Sequence, residues 1–81
     1  MRTLLASCLA LAALASPAAA DDKTACTDGI AMIRAELGKS PPEATQAALQ
    51  RALRSAEREL KEGEFDECVD AVDDARKALK R

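Results

Sequence analysis

Residues 60–72 read LKEGEFDECVDAV. Leu60 closes one apolar series, Gly63 interrupts it, and Phe65, Cys68, Val69 and Val72 open another at i, i+3, i+4 and i+7. That spacing marks one face of an α-helix. Glu64, Asp66, Glu67 and Asp70 crowd the new start, where the helix dipole favours negative charge. A turn between two helices is therefore expected at Gly63. Ala75 and Leu79 continue the second face, and Arg76, Lys77, Lys80 and Arg81 close the segment with the opposite charge. The expected helix covers about residues 64–80. Arg76 falls on the apolar side, so its stem should pack and its head should reach water.

Upstream of Gly63, Ala48, Leu49, Ala52, Leu53, Ala56 and Leu60 form a stripe ~140° wide, suited to a helix with two neighbours. Ser40 and Glu43 have the spacing of a capping box, with Pro41 at the first helical position. These signals place a helix over about 41–62. Further upstream, Cys26, Ile30, Ile33 and Leu37 lie on one narrow face at i, i+4, i+7 and i+11. They place a helix over about 24–37, with Asp22 or Thr24 as N-cap and Gly38 as the C′ residue. Gly29 inside this helix costs ~1 kcal/mol relative to Ala. No strand pattern competes. The expected fold is all-α, an antiparallel three-helix bundle running up-down-up.

The first twenty residues differ from the rest. Fifteen of them are hydrophobic and only Arg2 is charged. Arg2, the apolar run Leu4 to Ala15, and Ala18-Ala19-Ala20 after Pro17 make residues 1–20 a secretory signal peptide, cleaved between Ala20 and Asp21. The run is shorter than the ~20 residues a membrane span needs. Leu5-Ala6-Ser7-Cys8 resembles a lipobox, but too few residues separate it from Arg2 for an h-region. Residues 21–81 then form the mature domain. They carry 11 Lys and Arg against 14 Asp and Glu, a net charge of −3. No basic surplus exists for phosphates, so nucleic acid is not expected as a partner. Nor is a membrane, once the leader is removed.

Cleavage leaves two cysteines, Cys26 and Cys68. An even count in a short exported chain reads as a disulfide. There is no C-x-x-C and no His, which disfavours a metal or redox site. A bridge between two copies is the remaining alternative. Within one chain the bridge closes a 43-residue loop, worth ~4 kcal/mol in the chain-entropy model. Both cysteines fall near the starts of the first and third helices, at the same end of an up-down-up bundle. The heights match only if the first turn lets helix one sit lower than the start of the 22-residue helix two.

Candidate chemistry is sparse. There is no His as a base near neutral pH, Ser40 is assigned to capping, and Ser55 has no visible activating partner. No Gly-rich phosphate loop is present and the only aromatic is Phe65. No catalytic residue, cofactor or metal ligand is assigned, and an enzyme is not expected. Glu62, Glu64, Asp66, Glu67, Asp70, Asp73 and Asp74 form an acidic run that would suit a weak divalent-cation site, without EF-hand spacing. Met32 stands ~120° from its helix's apolar stripe. It is expected to be exposed and is the leading single candidate for a partner contact.

Residues 52–79 resemble one tetratricopeptide-type helical hairpin. The likeness rests on Lys61-Glu62-Gly63-Glu64-Phe65-Asp66-Glu67-Cys68 and Ala75, with Ala56 at the small position of the first helix. Ala52, Ser55 and Glu59 depart from that pattern, and no repeat follows. The resemblance implies protein binding. The expected function is a small exported, periplasmic or secreted bacterial protein with an interaction or structural role and an unidentified protein partner, as a monomer or weak dimer. The alternatives are a small chaperone resembling the periplasmic acid-stress type and a weak cation binder.

Overall fold

The computed structural model describes residues 17–81. Three helices follow one another: α1, Pro17–Leu37; α2, Glu43–Lys61; α3, Phe65–Leu79. Each packs on the other two in an antiparallel, up-down-up bundle, with no strand among the described residues. Of the expected leader, residues 1–16 and their Cys8 lie outside the described residues.

The three apolar faces meet as their periods require. Cys26, Ile30 and Ile33 of α1, Leu49, Ala52 and Ala56 of α2, and Cys68, Ala71, Val72 and Ala75 of α3 form the buried cluster. No polar or charged side chain is buried among the described residues. Alanine and cysteine supply six of these ten positions. The large residues Leu37, Leu53, Leu60, Val69 and Leu79 sit at the rim, half-buried. Small side chains at the contacts bring the helix axes close, and the larger ones then seal the edges.

Gly29 shows how close that approach is. A Cβ placed there would lie 2.6 Å from Val72 Cγ2 and 2.9 Å from Val72 Cβ. The glycine is thus no defect in α1. It is the point at which α1 and α3 come together.

The helix starts differ from expectation. α1 does not begin near Thr24 but continues upstream through Asp21 and Ala20 to Pro17. Alanine is the strongest helix former and proline is tolerated at a first helical position, so Pro17–Ala20 extend the helix. Asp22 and Thr24 therefore do not cap it. Thr24 instead accepts a hydrogen bond from Thr27 Oγ1 at its carbonyl, at 3.1 Å.

The capping box at Ser40 and Glu43 does not form either. Pro42 is the N-cap of α2, and no side chain caps it. Each proline bars the helical region to the residue before it. The tandem prolines thus keep Ser40 and Pro41 out of the right-handed helix, and α2 starts only at Glu43. Ser40 takes the left-handed conformation, φ 54°, that was expected at Gly38. The N–H of Gly38 makes the last α-helical bond, to Arg34 O, and those of Lys39 and Ser40 then donate three residues back, to Glu36 O and Leu37 O, which tightens the end of α1. α2 accordingly has 19 residues, three fewer than expected, after a connection longer by two. The shorter helix and longer connection reduce the height mismatch between Cys26 and Cys68.

The second turn keeps its place. Gly63 has φ 78°, its N–H donates to Leu60 O at 3.1 Å, and the N–H of Glu64 donates to Glu59 O at 2.8 Å. This pair of bonds is a Schellman motif, which satisfies the last carbonyls of α2 and reverses the chain.

Candidate functional site

Two features could carry function: the link between α1 and α3, and the outer face of the α2–α3 hairpin. The link is built in layers. Cys26 and Cys68 form an intramolecular disulfide, with Cα atoms 5.5 Å apart. Both cysteines are 0% exposed. Gly29 meets Val72 one turn further along the same pair of helices. One turn the other way, Lys23 Nζ stands 5.8 Å from the centre of the Phe65 ring, a cation–π contact. Arg34 pairs with Glu57 to tie α1 to α2 across the opposite seam.

On the α2–α3 face the charges separate. Glu59, Glu64, Asp66, Glu67 and Asp70 lie near one another at the Gly63 turn, with Arg58 beside Glu59 at 3.5 Å. Glu59 of α2 acts most strongly on the Glu67 carboxyl, followed by Glu64, lost hydration, Asp66 and Asp70; together they raise its pKa above the usual carboxylate value. Glu67 also stands in the first turn of α3, where the dipole favours its charge. Toward the other end of the hairpin lies a shallow groove of about 370 Å³. Ala48, Ala52, Ala71 and Ala78 line it, with Ser55 between them, and Arg51, Lys77 and Arg81 stand at its rim together with Asp74. The ion pairs of the described residues join Arg34, Lys39, Arg58 and Arg76 to Glu57, Glu36, Glu59 and Asp73. Among the described residues none of the three rim cations makes an ion pair, although Asp74 shares their groove.

The residues singled out from sequence are distributed unevenly. Cys26 and Cys68 come together. Ala20 and Asp21 adjoin within α1, with Asp21 exposed. Met32 is not the free-standing side chain its helical angle implied: it is half-buried and packs against the core. The acidic run does not converge: no three potential ligand side chains gather as a metal-sized group among the described residues. Asp73 is directed to Arg76, at 3.4 Å. The groove and its cations were not anticipated. Their signal was faint, since alanines and basic residues on a helix resemble any solvated surface.

No helix of the described residues is long and apolar enough to cross a membrane. Comparison with family models, with curated proteins and with solved structures finds no match to this chain.

Proposed function

We propose that this chain is a small exported helical protein with a non-catalytic interaction or structural role. Residues 1–20 direct export and are removed after Ala20, and the domain works in the periplasm or outside the cell. The observation that carries this reading is the Cys26–Cys68 bridge, fully buried in the core. Disulfides persist in oxidising compartments and are rare in the cytosol. The apolar, nearly uncharged leader agrees with that compartment. The interaction role draws on the exposed α2–α3 hairpin, whose sequence resembles a tetratricopeptide unit and whose outer face separates its charges. The acid-stress alternative requires acid to loosen the fold. The raised proton affinity of Glu67 acts in the opposite sense, so it lends that alternative no support.

Intact mass of the protein recovered from its native host, before and after reduction, tests the reading. The expected species starts at Asp21 and gains two hydrogens on reduction. A full-length chain with free thiols overturns it.

A further inference from the structure

The outer face of the α2–α3 hairpin is patterned in a way that pairing with itself would satisfy. Glu59 lies 11 residues beyond Ala48 on α2, and Ala78 lies 11 beyond Glu67 on α3. Eleven residues are close to three turns, so Glu59 and Glu67 stand in the same rows as the groove's alanines. One face thus carries the alanine floor with Arg51, Lys77 and Arg81 toward one end and Glu59 and Glu67 toward the other. The midpoint between Arg51 and Glu59 falls at Ser55, and that between Lys77 and Glu67 at Val72. Ser55 precedes Gly63 by eight residues and Val72 follows it by nine, so both midpoints lie at one level of the antiparallel hairpin. A single twofold axis at that level serves both pairs.

We propose that this face is a self-association surface, on which a second copy docks face to face with its helices reversed. Lys77 of each copy then lies over the exposed Glu67 of the other, and this pair carries the contact; Arg51 falls over Glu59, whose side chain is only 13% exposed and already meets Arg58 at 3.5 Å. The alternative axis, parallel to the helices, would set like charges together and is disfavoured. The alanine floor lets the helices approach closely. The repulsion that raises the proton affinity of Glu67 is relieved when a cation arrives. Asp74, at the groove's rim, breaks the pattern, because the same axis sets it near Asp70 of the other copy. The face is about 22 Å long and two helices wide, roughly 20 Å. Two such faces bury about 900 Å², below the ~1,200 Å² of stable interfaces. The dimer is accordingly weak and salt-sensitive. This inference rests on the interaction role proposed above and names the partner.

Sedimentation of the oxidised protein at low and high salt tests it. Expected is a concentration-dependent dimer at low salt that dissociates in high salt. Lys77→Glu and Glu67→Lys should each weaken it at least tenfold. Mixed together, the two variants should pair, since one then presents an acidic face and the other a basic one. Asp74→Asn should tighten the dimer. Circular dichroism of each variant checks that the bundle is intact. A monomer at every concentration and salt overturns the proposal, as does a dimer indifferent to both substitutions or a mixture that fails to pair. A monomer that is still exported and oxidised removes self-pairing and leaves the broader role standing.

Discussion

A methyl group at residue 29 would raise the intrinsic helicity of α1 by about 1 kcal/mol. It would also enter space already held by Val72, and overpacking costs about 1–3 kcal/mol. The second effect is the larger. Gly29→Ala should lose up to about 2 kcal/mol in denaturant unfolding. Val72→Ala in the same chain should recover part of that loss, and an additive double-mutant cycle would exclude the contact as the cause. Glu67 shows the reverse case, a native residue that opposes the fold. Its pKa is raised in the folded state, so its favourable contribution is present at acid pH, below the ordinary carboxylate pKa. That contribution is lost as pH rises through the folded value. Glu67→Gln should therefore raise the melting temperature at neutral pH, and the gain should vanish on acidification. A loss of stability at pH 7 would show that the helix dipole outweighs the repulsion from Glu59 and Glu64.

Among the elements, the turns separate what was legible in the sequence from what was not. Helix number, faces and order follow from the 3.6-residue period of apolar positions, which is local information. The start of α2 was misplaced because Ser40 and Glu43 carry a capping box's spacing, whereas the tandem Pro41-Pro42 governs the backbone. Gly29 was misread because close approach depends on Val72, 43 residues away. The bridge was legible, since two cysteines on inward faces leave one intramolecular pairing. The groove was not, since its lining joins distant stretches of α2 and α3. Gly63 contrasts with Gly29. It has open space around its Cα and needs glycine for φ 78° alone. Gly63→Ala should cost about 1–2 kcal/mol, the penalty of a left-handed residue, while Gly63→Asn should cost less. Equal losses for the two variants, measured by thermal unfolding, would show that crowding rather than backbone conformation is at issue.

For the molecule as a whole, the core is small and rich in alanine. A domain of this length draws about 3–5 kcal/mol from its core. The bridge contributes about 4 kcal/mol through the 43-residue loop it closes. The two are comparable, so reduction should abolish the cooperative melt or move it far down in temperature. Replacing both cysteines by Ser should do the same. An unchanged midpoint after reduction would mean that helix packing alone sustains the fold.

Because the cysteines are fully enclosed, a dissolved thiol reaches their sulfur atoms only when the packing around the bridge opens while the bond still ties α1 to α3. Reduction under native conditions is then gated by that excursion. Once reductant is abundant, the reaction rate ceases to depend on its concentration and equals the opening rate itself. The bridge thus serves as an internal timer of the local opening that uncovers it, readable from the rate of thiol release.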